Sequence, residues 1–320
     1  MRVLQSALSA ITLFIASTTP GAIADANFYD VPPPGQLVDL GGYRLHIHCE
    51  GMGSPTVIFD AGLGDWSTHW TAVQNLLKSD TRVCSYDRAG YGWSDPGPRP
   101  RDSQRIVTEL HSLLEKAEIA PPYLLVGHSF GGLNMRLFAS TFTGEVSGLV
   151  LVEASHPESL PYQRDDDGKT PATSQPNQMM VVYPTEPETL HVPPEAESAI
   201  NDSLLQTKSR MTSRGEYRAL GSSVLELQHA QSFGDLPLTV LSRGKREWPY
   251  GSEGDLKEKK WHSQQMEMVK LSSLGHFIVA ENSGHHIHLD QPELVAGVVR
   301  DMLTEERRES ASVLRGMALP

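Results

Sequence analysis

Cysteine is scarce. The 320 residues hold only Cys49 and Cys84, which leaves room for one bridge at most, and neither has the spacing of a zinc ligand. Long apolar runs are missing too: past residue 20 nothing approaches the ~18 consecutive apolar residues of a membrane span. No Gly-X-Y period, low-complexity tract or repeat of about 20 to 50 residues is present. These absences exclude a membrane transporter, a collagen and a disordered tail, and no stable membrane insertion is expected. Positive charge is in short supply, with 27 lysines and arginines against 39 acidic residues and a formal charge of −12. The local basic runs, Arg99, Arg101 and Arg105 and then Lys257, Lys259 and Lys260, are broken by acids or prolines. Counterion release has little to work with, so nucleic acid and anionic lipid surfaces are not expected partners.

What is present is a foldable composition: 39% hydrophobic residues plus 27 glycines reaches the ordinary globular range of ~45–50%. The length fits either two domains or one core with an inserted subdomain. Residues 1–24 read as a secretory signal, with Arg2, the apolar run Val3 to Ala16, and the small-x-small ending Ala22-Ile23-Ala24. The other reading is an N-terminal hydrophobic helix that stays attached. Cleavage after Ala24 would leave a charge of 26 − 39 = −13 and make the protein secreted or periplasmic. In that oxidising setting Cys49 and Cys84 are expected to be bridged, the alternative being two buried thiols.

Short runs rich in valine, isoleucine and leucine alternate with amphipathic stretches, the pattern of a largely parallel sheet covered by helices. Strands are expected at Tyr43–Cys49, Thr56–Asp60, Arg82–Tyr86, Tyr123–Val126, Gly148–Val152, Leu238–Leu241 and His276–Ala280. Helices are expected at Thr68–Lys78, Ser103–Ala117, Phe130–Phe142 and Pro292–Leu303. Between about Ser155 and Gly234 the alternation stops; the segment is proline-rich at first and helical from Glu195 to Gln231. A structureless loop of that length does not suit a compact core, so it reads as a cap. The organisation is thus a first core part at 25–154, a cap at 155–234, a second core part at 235–304 and a flexible tail at 305–320.

Tyr123-Leu-Leu-Val126 leads directly into Gly127-His128-Ser129-Phe130-Gly131-Gly132 and then the helical run Leu133 to Phe142. A G-x-S-x-G motif says little alone, but strand before and helix after is its confirming context. A sharp turn there would hold Ser129 in strained geometry, and side chains at 127 and 131 would strike the neighbouring chain. The turn lifts the hydroxyl above the strand ends, and the new helix aims its first amides at developing negative charge. The bland alternative is that Ser129 only caps the helix.

On these residues the sequence resembles the alpha/beta-hydrolase superfamily, across nearly the whole chain after residue 24. The resemblance implies an α/β fold, a mostly parallel eight-stranded sheet with helices on both faces and an inserted, largely helical cap. Phe59-Asp60-Ala61-Gly62-Leu63-Gly64-Asp65-Trp66 occupies the place of the family's His-Gly oxyanion loop, with Ala61 where the histidine usually stands. By that match the amides of Leu63 and Phe130 look like the oxyanion hole. The other reading of Gly62 and Gly64 is an ordinary strand-end turn. Asp87-Arg88-Ala89-Gly90-Tyr91-Gly92-Trp93-Ser94 matches a family loop in which arginine and aspartate brace turns near the site. As a dinucleotide fingerprint it fails, lacking a third glycine and a following helix.

A serine hydroxyl needs a base to become nucleophilic. Of 13 histidines, His285 in Ser283-Gly284-His285 follows the last strand and precedes a proline-started helix, where this family carries its base. An unperturbed imidazole there would titrate near ~6.5. His286 and His288 lack partners at ligand spacing, so no metal is expected. His46 and His48 read as the polar side of a strand, and His128, by resemblance, supports the site. The acid is open. The usual place after Leu241 holds Ser242-Arg243-Gly244-Lys245-Arg246-Glu247, with no aspartate. The arrangement of haloalkane dehalogenases instead puts a glutamate after the next strand, and Val150-Leu151-Val152-Glu153-Ala154 matches it. Glu153 leads, with Glu247 as the alternative and Asp255 behind; Glu153 could equally be a carboxylate holding the cap hinge.

The expectation is an exported serine hydrolase that cleaves carboxylic esters through an acyl-enzyme, acting on a small-molecule ester without a cofactor. A peptidase of the proline-iminopeptidase type, with Asp165, Asp166 and Asp167 gripping a free amine, is one alternative. A non-catalytic ligand-binding protein on the same fold is the other.

Overall fold

A computed structural model of the chain describes residues 32–160, the short strands Gln163–Arg164 and Pro171–Ala172, residues 207–230 and residues 232–317. The expected signal segment and most of the expected cap lie outside these residues. In chain order the elements begin with β1 (Gln36–Asp39), β2 (Arg44–Glu50), β3 (Thr56–Asp60), α1 (Thr71–Leu77) and β4 (Val83–Tyr86). The first half continues with α2 (Ser103–Lys116), β5 (Tyr123–His128), α3 (Phe130–Thr141) and β6 (Val146–Val152). After the two-residue strands β7 (Gln163–Arg164) and β8 (Pro171–Ala172) come α4 (Thr207–Glu226), β9 (Leu238–Arg243) and α5 (Ser252–Val269). The chain ends with β10 (Gly275–Ala280), α6 (Ile287–Asp290) and α7 (Pro292–Met317).

Eight strands form one sheet in the order β1-β2-β4-β3-β5-β6-β9-β10, and only β2 runs against its neighbours. The central strands are apolar throughout because helices cover both faces. Along β3, Ile58 packs into one core with α2, α3 and Met268 of α5, whereas Val57 and Phe59 face the other core with α1 and α7. That alternation follows from the two-residue side-chain period of a strand. The cap helix α4 lies on the first face, packing Leu220 against Ile106 and Phe130, and Val224 against Leu133.

Three departures from the sequence reading have physical causes. Strand β1 was not expected, being four residues at the sheet edge with both ends exposed. Helix α5 was hidden because its buried face is mostly polar, made by Glu258, Gln264, Gln265 and Met268. The segment from residue 305, expected to fray, instead continues α7 to Met317. Glu305 to Arg308 are good helix formers, and Arg307 anchors that turn on the carbonyl of Asp80 at 2.7 Å. His46 is also a correction: it is not on a polar face but buried, bonded to Asp87 and to the carbonyl of Pro34.

Cys49 and Cys84 are paired residues of the antiparallel β2–β4 ladder and form a disulfide. The bridge spans a sequence separation of 35. Its chain-entropy contribution is about 3–4 kcal/mol by the loop-closure relation. The native protein should therefore show no titratable thiol in denaturant before reduction, and reduction should lower the urea midpoint. Two free thiols before reduction would refute the bridge.

Candidate active site

Strand β5 ends at His128 and helix α3 begins at Phe130, so Ser129 is the whole connection, with φ 50 and ψ −118. A non-glycine residue pays strain energy in that region, of order 1–3 kcal/mol. The neighbours leave it little choice. Its N–H donates to Val152 O at 3.2 Å, and its carbonyl accepts from Gly132 and Ser155, each at 3.0 Å. A Cβ at 127 would lie 2.6 Å from Gly131 O, one at 131 would lie 2.7 Å from Ala61 O, and one at 132 would strike Ala154. The glycines at 127 and 131 are thus required by contact, as the motif implied.

The loop after β3 packs against this turn. A Cβ on Gly62 would lie 2.9 Å from Nδ1 of His128, so Gly62 abuts the residue that precedes Ser129. Asn134 of α3 donates to Asp60 Oδ2 at 2.8 Å and ties the helix to the strand end. Arg88 is buried and reaches the same loop, donating through Nη1 to Ala61 O and through Nη2 to Gly62 O, both at 2.7 Å. Asp87 accepts from the backbone N–H of Ser67 and of Trp93, each at 2.9 Å. Bracing by this aspartate and arginine is what the family loop implied. Among the described residues no hydrogen bond occupies the N–H of Leu63 or of Phe130.

His285 follows β10 at the same end of the sheet. His128 Nε2 donates to the carbonyl of His285 at 3.0 Å, and the two rings are 4.8 Å apart. The residue before Ser129 therefore holds the backbone of His285. Burial, with smaller contributions from His286 and Arg243, pushes the His285 pKa down to about 3, which corrects the expected value near 6.5. Around it, the His128 ring lies 4.3 Å from that of His288, tilted by 48°, and His288 lies 4.5 Å from Trp70. Burial also lowers the pKa of His69, His128 and His288. Among the described residues no group of three or more His, Cys, Asp or Glu has the geometry of a metal site.

The structure does not bring any of the three candidate acids into hydrogen-bond contact with His285. Glu153, fully buried at the end of β6 with φ 45, gives both oxygens to Arg243: Oε2 accepts from the backbone N–H at 2.7 Å and Oε1 from Nη1. Burial raises its pKa to about 7 despite the arginine. Glu247 is exposed, and Asp255 pairs outward with Arg246. Arg243 was not foreseen. It bridges Glu153 to Glu258 at 3.0 Å, and its guanidinium sits 4.9 Å and 5.2 Å from the rings of Trp248 and Trp261. Trp261 in turn is 6.3 Å from the His285 ring. Its sequence signal was the arginine standing where the family's usual acid was sought. The second residue missed is Glu216 of α4, which accepts from Arg88 Nε at 2.8 Å across 128 residues of sequence.

Six histidines have lowered folded pKa values, chiefly through burial: His48, His69, His128, His156, His285 and His288. Below ~6.5 the unfolded chain binds protons that these rings refuse, so acidification removes stability. His46, whose pKa is raised by Asp87 against the effect of burial, opposes this, as do Glu153 and Glu226, both raised to about 7 by burial. Six groups act in the first sense and three in the second. The melting temperature is expected to fall continuously from about pH 6.5 to about pH 4.5, and a flat or rising profile in thermal melts would contradict it.

The model of the alpha/beta hydrolase family matches residues 45–298. The protein YqjL of Bacillus subtilis is 27% identical over 280 residues, covering 87% of this chain and 95% of its own. The enol-lactonase of Burkholderia xenovorans LB400 superposes with a TM-score of 0.62 at 16% identity, over 84% of this chain and 100% of that one. A thermophilic esterase from Thermogutta terrifontis superposes with a TM-score of 0.60 at 18% identity, over 86% and 99%. At these identities the two solved structures speak to the fold alone. With its strand order, its strained serine turn and a family match over most of its length, the chain belongs to the alpha/beta hydrolase family.

Proposed function

We propose that the protein is an exported serine hydrolase that cleaves carboxylic esters through an acyl-enzyme. The observation that carries this reading is the turn at Ser129, a non-glycine residue held at φ 50 between β5 and α3. Strain of this kind is kept where a reactive group must be presented. In the proposed cycle Ser129 Oγ attacks the carbonyl carbon, its proton passes to the His285 imidazole, and the oxyanion accepts from the N–H of Leu63 and Phe130. The imidazolium then protonates the leaving alkoxide as the carbon–oxygen bond breaks. Water, deprotonated by His285, attacks the acyl-Ser129 ester, and the imidazolium returns that proton to Ser129 Oγ as the acid leaves. At pH 7 the His285 ring is neutral, the protonation state a general base starts from, and its depressed pKa makes it a weak base until charge develops on the bound substrate.

Glu153 is proposed as the third member: of the three candidate carboxylates it alone is buried, beside Arg243, whose charge reaches His285. Glu247 is the alternative. The lactonase and esterase among the structural relatives support acyl chemistry on a small molecule as the class. Export remains part of the proposal through residues 1–24, which the described structure does not include. The peptidase reading depends on Asp165, Asp166 and Asp167, which also lie outside the described residues.

Ser129→Ala is expected to lower kcat by ~10³-fold or more on a nitrophenyl ester while leaving the melting temperature and circular dichroism unchanged. Normal turnover by that variant, or hydrolysis without labelling of Ser129 by a fluorophosphonate, would remove the hypothesis. A panel from acetate to palmitate run with Glu153→Gln and Glu247→Gln should lower kcat in the first variant only. The acid limb of kcat/KM is expected below about pH 5, not at 6.5, given the depressed His285. Faster turnover of an aminoacyl-naphthylamide would favour the peptidase instead.

A further inference from the structure

The cap helix α4 sends one carboxylate to the floor of the site. Glu216 is fully buried, and Arg88 opposite it is nearly so. The five N–H bonds of the Arg88 guanidinium meet five acceptors. Nε donates to Glu216 Oε1 at 2.8 Å and Nη2 to Glu216 Oε2 at 3.2 Å. Nη1 donates to Asp60 Oδ1 and to Ala61 O, each at 2.7 Å, and the other Nη2 proton goes to Gly62 O at 2.7 Å. The guanidinium is a planar fork, so gripping one edge sets the direction of the other. Glu216 grips the edge away from the loop.

From this geometry we propose that Glu216 is a positioning residue for the oxyanion hole: acting through Arg88, it fixes the direction of the Leu63 N–H. The inference rests on the reading of Leu63 as an oxyanion donor given above. The peptide group is planar and trans, so the carbonyl of Gly62 and the N–H of Leu63 point opposite ways on one rigid plate. Holding Gly62 O on Arg88 therefore turns the Leu63 N–H away from the arginine. The Gly62 carbonyl also accepts from the Asp65 N–H at 3.2 Å, so the Arg88 bond, at 2.7 Å, is the shorter of its two holds and the one that ties it to the cap helix. The same guanidinium lies 5.6 Å from the ring of Phe130, the residue carrying the second proposed donor.

Glu216 is itself fixed. Tyr91 Oη donates to its Oε2 at 2.8 Å, and Lys208 of the same helix donates to the carbonyls of Gly92 and Ser94 at 2.6 Å and 2.9 Å. A Cβ on Gly90 would meet Thr212 Cβ at 3.0 Å, so α4 sits directly on the 87–94 loop. Further along, Ser223 and Glu226 accept from the backbone N–H of Ser103 and Gln104 at 2.9 Å and 2.8 Å. If docking were all that mattered, a well-packed apolar pair would serve as well, since buried ion pairs add little net stability. The direction of the Arg88 fork is what an apolar pair could not supply. The oxyanion hole is then complete only when the cap helix is seated.

The test compares the wild type with Glu216→Gln using a nitrophenyl ester, a trifluoromethyl ketone and the matching trifluoromethyl carbinol. Ser129 Oγ adds to the ketone carbonyl carbon as its proton passes to His285, and the carbonyl oxygen becomes an oxyanion in the hole, whereas the carbinol, with no carbonyl, binds without forming one. Glu216→Gln is expected to lower kcat about 10- to 100-fold with KM unchanged, the cost of a small misplacement of a catalytic group. The inhibition constant of the ketone should rise by the same factor while that of the carbinol stays put. A merely structural role would lower the melting temperature and the active fraction found by fluorophosphonate titration, without separating the two inhibitors. Should Glu216→Gln fail to fold, Tyr91→Phe removes a single bond to the carboxylate and is expected to lower kcat about threefold to tenfold at constant KM. Unchanged kcat per labelled site in a folded variant, or equal weakening of both inhibitors, overturns the proposal alone. A wild type inert to the esters and to fluorophosphonate overturns the esterase reading and this proposal together.

Discussion

Backbone-to-backbone contact at the turn between β5 and α3 is the constraint on which the site depends. The start of α3 presses on the end of β3 so closely that the carbonyls of Asp60 and Ala61 occupy the space a side chain at 131 would need. This contact forces a one-residue turn, and a one-residue turn forces Ser129 into the left-handed region. It also brings the loop that follows β3 against the turn, with Gly62 beside His128. None of this needs a large energy from any single bond. It needs the absence of side chains at three positions.

Around that contact the fold places charge with restraint. Arg88 and Arg243 are both buried, and each is shared between two carboxylates on different elements, Asp60 and Glu216 for the first, Glu153 and Glu258 for the second. A buried ion costs several kcal/mol to desolvate and survives only where its hydrogen bonds are met. Arg88 meets that condition with all five N–H groups, and Arg243 adds aromatic faces to its two carboxylates. Arg88 lies under the loop that follows β3, and Arg243 lies near His285 through Trp261. The histidines between them stay neutral because burial disfavours their cations. The site is thus electrostatically quiet in its resting form, which suits a reaction whose charge develops only in the transition state.

Much of the core was legible in advance because buried parallel strands leave an unmistakable mark: β3 has the bounds expected for it, Thr56–Asp60, and β5 and β9 extend the expected strands by only two residues. Ser129 and His285 were legible for a related reason, since local chain geometry dictates glycine beside the one and a strand end before the other. Helix α5 was not, because Glu258, Gln264 and Gln265 are buried by partners on other elements and give no apolar period. The choice among Glu153, Glu247 and Asp255 was illegible for the same reason. A carboxylate's partner is whichever group lies within about 3 Å, and Arg243 took Glu153 from the neighbouring strand.

By itself the sequence determined the parallel sheet and the strained turn at Ser129, because each follows from side-chain period or from steric demands within a few residues. Only the tertiary structure decided where the buried charges go: that Glu153 lies on Arg243, and that Glu216, 128 residues beyond Arg88, pairs with it beneath the loop that follows β3. Backbone sterics act over short stretches of chain and are written in local order. Ion pairing depends on distance through space, and that distance exists only after the sheet and the cap helix have closed around it.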